Sequence, residues 1–506
     1  MKPLSRALLA SESYGVAIGP LQQMPERIMQ FGEGNFLRAF VDWMVNAMNR
    51  QGLFQGKVVV VQPLPEGLVP QLNAQDGLYT LLLRGMQQGQ VVEETEVITS
   101  VSRGIDPYAD FSGFLQCAGN IDLRVIISNT TEAGITFVDE PFPIAACPAS
   151  FPAKITVFLY ARYVHFAGAA GTGMILLPCE LIDRNGDNLR RCVLQYIDAW
   201  GLEPGFRAWV EKSNFFLNTL VDRIVTGYPR EEVTQLGEQL GYDDALLDTG
   251  EIFHLWVIEG DARFAEELPF TQAGLNVLWT DNMEPYRTRK VRILNGAHTM
   301  TVLAAYLYGK DTVRECVEDP CIGAFMRAGI FDEIIPTLDL PEAEKAQFAE
   351  DVLERFRNPF IRHLLLSISL NSVSKWKVRV LPSLCEYVTR RGTLPPALTF
   401  SLAALLAFYR GTEMVDGVLQ GSRDGQPYPV KDEPEVLEVF AALWRDYAAH
   451  GDLAALCRNA LAHADFWGQD LTTVPGLTDA VTADLTQIVH DGMAAALQAI
   501  AGKVEA

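Results

Sequence analysis

The sequence predicts an α/β protein, with a parallel-sheet domain first and a mainly α-helical domain after it. Three observations predict this. The first 280 residues alternate short β-branched runs with stretches of helical period, the pattern of βαβ units that build a parallel sheet. Beyond Tyr286 the pattern changes to long helical stretches with few strand-like runs. At 506 residues the chain exceeds what one hydrophobic core usually organises, so two domains are expected, 1–280 and 281–506.

The expected strands are Arg27 to Phe31, Val58 to Gln62, Arg124 to Ser128 and Met174 to Pro178, each a short apolar run bounded by turn residues. In the second half, Val291 to Tyr308, Glu342 to Phe356 and Leu398 to Tyr409 place apolar residues at helical spacing. Proline-rich stretches at Pro141 to Pro152 and Gly425 to Pro434 read as loops.

Composition narrows the function. With 49% hydrophobic and 21% charged residues the chain has the make-up of an ordinary globular protein. A net charge of -22, with no long basic block, opposes binding to a phosphate backbone, so nucleic acid is not an expected partner. The eight cysteines are scattered, without a C-x-x-C pair or a histidine at zinc-ligand spacing; no metal site is expected, and reduced thiols in a cytoplasm are. No apolar stretch reaches 18 residues and the first residues lack a signal-peptide core, which disfavours membrane and secretion. The sequence sets no oligomeric state.

Residues 27 to 40 run as an apolar strand, a glycine turn and an amphipathic helix. Gly32 permits the tight turn, and Gly34 lets backbone N–H groups approach a pyrophosphate at the helix N-terminus, where the dipole favours negative charge. This is a Rossmann-type arrangement, and it places Ile28, Gln30, Phe31, Gly32, Glu33, Gly34, Asn35, Phe36, Leu37, Arg38 and Ala39 around a dinucleotide. Leu37 stands where the fingerprint has its third glycine. The second strand ends in Val61-Gln62-Pro63, without the usual acid for the ribose; Glu66 is the nearest one, and no arginine follows to take a 2′-phosphate, so NAD is preferred to NADP. Two more stretches are expected on the cofactor side: Ser128 to Gly134, with Thr131 and Glu132, and Val221 to Gly227, whose Asp222 and Arg223 are either ligands or a local salt bridge.

The run from Arg287 to His298 carries a Lys-x4-Asn-x2-His spacing. On a helix at 100° per residue, Lys290, Asn295 and His298 lie at roughly 0°, 140° and 80°, over one side. Ketone reduction needs a proton for the developing alkoxide, and a lysine can supply it when desolvation and cationic neighbours, here Arg287, Arg289 and Arg292, favour its neutral form. Asn295 and His298 would donate hydrogen bonds to the same oxygen. The bland reading is a basic, solvated helix with one satisfied histidine. Four basic residues within six positions of so acidic a chain argue instead for an anion site, and Lys375, Lys377 and Arg379 offer a second cationic cluster.

Together the glycine turn, the Thr-Glu-x-Gly loop, the Val-Asp-Arg-Ile stretch and Lys-x4-Asn-x2-His resemble the mannitol dehydrogenase family of long-chain polyol dehydrogenases, in the family's order and over most of the chain. The resemblance implies an NAD-dependent, zinc-independent dehydrogenase with Lys290 as general acid/base, Asn295 and His298 on the substrate oxygen, and Lys375, with Arg379 nearby, on the substrate's far end. Two positions depart from the polyol enzymes. Pro178-Cys179-Glu180-Leu181 replaces Ser-Cys-Asp-Asn, and Ser367 replaces an arginine eight residues before Lys375. Both departures concern the substrate pocket, so a charged, differently held substrate, a small sugar acid, is expected in place of mannitol. A cofactor-binding sensor without turnover, or an interaction protein using its acidic surface, would have no use for the complete Lys290, Asn295, His298 set.

Overall fold

The computed structural model describes residues 1–11, 13–131 and 133–504, with side chains through residue 500. The chain divides into two compact units, Met1–Met283 and Glu284–Ala506.

The first unit is built on six parallel strands: β1 (Glu26–Phe31), β2 (Lys57–Val61), β3 (Val101–Ile105), β4 (Val125–Ser128), β5 (Ile175–Pro178) and β6 (Phe215–Phe216). Their order across the sheet is β3-β2-β1-β4-β5-β6, the arrangement of a doubly wound dinucleotide-binding sheet with its switch point between β1 and β4. The sequences explain the placement. β2 reads Lys-Val-Val-Val-Val and every residue of it is buried, as a parallel strand covered on both faces requires. Helices Phe151–His165 and Asn185–Ala199 pack on the sheet, and apolar side chains from its two faces feed two separate cores. A four-stranded and a three-stranded sheet complete this unit; in the first, Tyr79–Gln87 and Gln90–Ile98 form a hairpin whose two turn residues, Gln88 and Gly89, both take positive φ.

The second unit is mainly helical. It includes α1 (Gly296–Tyr308), α2 (Glu342–Phe356), α3 (Ser372–Arg379) and α4 (Pro396–Phe408). α1 and α4 are apolar almost all round, and most of their side chains are buried.

Two expectations are corrected. Gly425 to Pro434 is not simply a loop: Gln426–Val430 is the edge strand of a three-stranded antiparallel sheet with Met414–Val415 and Val418–Arg423. Pro427 and Pro429 sit there because an edge strand leaves one row of N–H positions without a ladder partner. The Pro141 to Pro152 loop closes at Ser150, whose hydroxyl caps the helix beginning at Phe151, with Pro152 in the first turn where its missing N–H costs nothing. Among the described residues no helix is long and apolar enough to cross a membrane.

Candidate functional site

In the first unit the glycine turn leaves the carboxyl end of β1, beside the switch point. Gly32 has φ +122°, and a side chain there would press on the Asn129 carbonyl at 3.0 Å and on Leu37 Cδ1 at 3.3 Å. Only glycine fits without strain. Around Gly34 the space is open to 4 Å among the described residues. Gly34 precedes a continuous helical run, Asn35–Leu37, a π-helical turn Arg38–Asp42, and Trp43–Arg50, whose first N–H groups have no intrahelical partners. A narrow turn opening on unpaired N–H groups fits a pyrophosphate.

The structure assigns very different surroundings to the residues expected here. Ile28, Phe31, Leu37 and Ala39 are core side chains, so any cofactor contact they make is through backbone. Leu37 fills the space beneath Gly32 that the missing third glycine would have left. Phe36 is half-buried and stacks on Phe40 at 5.0 Å. Glu33 turns away from the turn's mouth and accepts the Leu68 N–H at 3.2 Å, bracing the segment after β2; burial raises its pKa. Asn35 accepts a hydrogen bond from Arg38 at 2.6 Å, and Gly227, with φ +80°, lies against the Asn35 amide, so a side chain there would be strained and would displace that amide.

Arg38 and Arg223 are interior clamps. Arg38 donates to the Leu246 carbonyl, lies 3.7 Å from Asp248 and stacks over Tyr79 at 5.1 Å. Arg223 donates to the carbonyls of Ala39, Phe253 and Ile252 at 2.5, 3.0 and 3.1 Å, with its guanidinium 4.2 Å from the Trp43 ring. Burial lowers its pKa to about 9. It therefore ties the helical run to residues 252–253, a third role that the choice between ligand and salt bridge did not contain. Asp222 ends the strand Asn218–Asp222 and is buried.

Below the turn lies a polar network that the sequence did not announce. Gln30 Nε2 bridges the Gly32 carbonyl at 3.0 Å and Asp42 at 3.3 Å, and the Tyr79 hydroxyl lies 3.3 Å from the same carboxylate. Burial raises Asp42 to about 7, against the hydrogen bonds of Gln30 and Tyr79 and the charge of Arg38; burial also raises Asp248 to about 7.

The loop after β4 is held by Glu180. Its carboxylate, almost wholly buried, accepts from Ser128 Oγ at 3.1 Å, the Thr130 N–H at 3.0 Å and Thr130 Oγ1 at 3.1 Å, while Asn129 Nδ2 donates to the Cys179 carbonyl at 2.8 Å. Leu181 beside it is exposed. The Cys-Glu-Leu departure thus anchors the loop rather than presenting a donor. Thr131 is exposed on that loop, and Glu132 lies outside the described residues.

In the second unit, Lys290 to Asn295 is a π-helical turn leading into α1. The α-helical angles expected from the sequence do not apply, because i→i+5 hydrogen bonding sets Lys290 and Asn295 one turn apart on the axis. Such turns are frequent at functional sites. Lys290 and Asn295 are half-buried. His298, in the first turn of α1, is buried, and its Nδ1 has no hydrogen-bond partner among the described residues. Its ring packs on Phe356 at 4.2 Å and meets His363 edge-on at 5.1 Å. Burial holds its pKa well below the usual imidazole range, helped by His363, Arg355, Arg379 and Lys375. It is therefore neutral near pH 7, able to donate one N–H without carrying charge.

The cations that act on His298 come from other elements than its own helix. Arg289 is buried against Phe348 at 4.4 Å and Tyr286 at 5.2 Å, and Arg292 donates to Ser383 Oγ at 3.1 Å. Instead α3 supplies Lys375 and Arg379, and the end of α2 supplies Arg355. Neither Arg355 nor His363 carried a sequence signal, since each is a single residue in an otherwise ordinary stretch.

With this geometry in place, the comparisons with known proteins agree with it. Residues 26–272 match the mannitol dehydrogenase Rossmann domain, and residues 282–489 match the mannitol dehydrogenase C-terminal domain. The chain belongs to the mannitol dehydrogenase family, whose members are dehydrogenases of polyols and sugar acids. It is 48% identical to an altronate oxidoreductase of Yersinia enterocolitica over 483 residues, 95% of this chain and 98% of that one. It is 43% identical to the altronate oxidoreductase of Halalkalibacterium halodurans over 506 residues, 100% and 98% of the two chains. Among solved structures it is similar in fold to a D-sorbitol dehydrogenase, with a TM-score of 0.79, 21% identity and 98% and 100% of the chains covered. A mannitol 2-dehydrogenase of Pseudomonas fluorescens, solved with NAD and D-mannitol, gives a TM-score of 0.66 at 21% identity over 99% and 100%.

Proposed function

We propose that this protein is a cytoplasmic, NAD-dependent tagaturonate reductase, an altronate oxidoreductase, that reduces the ketone of D-tagaturonate to D-altronate in hexuronate breakdown without a metal. The observation that carries the reading is the neutral, buried His298 in the first turn of α1, directly after the π-helical turn of Lys290 and Asn295, among cations of which Arg379 meets no competing carboxylate among the described residues. The names of the relatives support the same substrate.

The residues divide the task. The turn at Gly32 and Gly34 holds the pyrophosphate, and the loop from Ser128 to Thr131, braced by Glu180, lies beside it at the switch point. NADH, when bound, supplies the hydride. Asn295 and His298 donate hydrogen bonds to the carbonyl oxygen and stabilise it as negative charge develops. The Lys290 ammonium gives its proton to that oxygen, and the resulting amine is reprotonated from water. Lys375 and Arg379 favour an anionic end on the substrate.

The test is product analysis. Purified protein incubated with NADH, a chelator and D-tagaturonate should yield D-altronate, identified by chromatography against a standard. Conversion of D-fructuronate to D-mannonate in preference would move the assignment to the sister reaction. Loss of activity on chelation would remove the metal-free mechanism.

A further inference from the structure

We infer that Arg379 is the residue that takes the substrate's carboxylate and so sets the preference for a sugar acid over a neutral ketose. This deepens the proposed function and rests on it. Four basic residues on the sequence could have served: Arg287, Lys375, Lys377 and Arg379. The structure separates three of them. The Lys377 ammonium is turned toward the Asp465 carbonyl, 3.5 Å away, and toward Gly468. Lys375 donates to the Ile368 carbonyl at 2.9 Å and feels the Asp432 charge.

Arg379 differs. Its backbone carbonyl faces Gly296, one turn before the Thr299 hydroxyl that its Nη1 meets at 3.4 Å, so it lies along the His298 turn of α1. It is half-buried, and no carboxylate pairs with it among the described residues. A partly desolvated guanidinium whose one polar contact is a long bond to a hydroxyl keeps most of its five donors for a ligand, and a carboxylate matches that planar fork bidentately. Lys375 feels the Arg379 charge, so the two cations together strengthen the field for an anion. Because His298 stays neutral, it brings no second charge to compete for the anion.

The experiment compares Arg379→Met and Arg379→Lys with wild type on D-tagaturonate and on neutral D-fructose, following NADH oxidation, with D-altronate binding measured by calorimetry in parallel. Arg379→Met should lower kcat/KM for D-tagaturonate about 10- to 100-fold more than for D-fructose, chiefly through KM, and weaken D-altronate binding by a similar factor. Arg379→Lys, which keeps the charge but not the fork, should fall between. It also keeps the test alive if the methionine variant does not fold. Equal losses on both substrates, or an unchanged KM for D-tagaturonate, overturn the inference. Should wild type turn over no hexuronate, the proposed function fails; D-altronate binding that is lost in Arg379→Met would still uphold the anion site, and no D-altronate binding by wild type would sink it too.

Discussion

At the scale of single residues, the chemistry depends on what surrounds each polar group more than on which group it is. Lys290 and Lys375 are both lysines, yet only Lys290 stands on the π-helical turn with Asn295, while Lys375 is tied to a backbone carbonyl on α3. Replacing Lys290 by alanine should cut kcat by about 10²-fold or more, the loss of a general acid, while NADH affinity, measured by fluorescence titration, stays near wild type. A near-normal kcat would remove Lys290 from the mechanism. Lys375→Ala should raise KM modestly and leave kcat close to wild type, because its charge adds to the field around a bound anion equally in ground and transition states. Steady-state kinetics on D-tagaturonate decides it.

At the scale of elements, two substitutions test how the sites are built. Gly32→Ala would place a side chain at φ +122° against the Asn129 carbonyl, and should weaken NADH binding and cost about 1–3 kcal/mol of stability. Calorimetric titration and thermal unfolding measure the two effects. Glu333 accepts the N–H groups of Ala397 and Leu398 at 2.7 and 2.8 Å, so its buried carboxylate serves the first turn of α4. Glu333→Ala should destabilise by about 2–4 kcal/mol in denaturant titration, since two buried donors lose their acceptor.

The same two places show what the sequence made legible. The Gly-x-Gly between a strand and a helix was readable because a left-handed φ and an open approach both require glycine there, and the strands of the central sheet announced themselves as β-branched runs. Glu333 gave no such sign, because a capping residue more than sixty positions from its helix leaves no local pattern. Gln426–Val430 was hidden by its prolines, which mark a loop unless the strand is known to be an edge. Lys-x4-Asn-x2-His was visible as spacing, but its angular arrangement was not, because periodicity assumes an α-helix where the chain makes a π-turn. Arg355 and His363 come from other elements, so only the tertiary fold brings them to His298.

At the scale of the whole molecule, the buried acids make stability depend on pH in an unusual direction. Asp42, Asp248 and Glu333 are each raised by burial to about 7, above their values in an unfolded chain. Each of these three groups therefore holds in the folded protein a proton that it has released in the unfolded chain, and its contribution to stability falls as pH rises from about 4 to about 7, levelling above that. Asn at position 42 mimics the protonated acid, so Asp42→Asn should flatten this slope and gain most relative to wild type above pH 7. Thermal unfolding of both proteins across that range measures it, and parallel curves would show that Asp42 does not hold the proton. The network lies under the glycine turn, so the same substitution reports whether that foundation tolerates a fixed neutral group.

In this acidic chain Lys375, Arg379 and Arg355 surround one neutral histidine, His298, an arrangement suited to an anionic substrate. The most direct measurement is the ratio of kcat/KM for D-tagaturonate to that for D-fructose, both with NADH and wild-type protein. The ratio should be at least about 10² in favour of the acid. Equal values, or a preference for the neutral ketose, would contradict it.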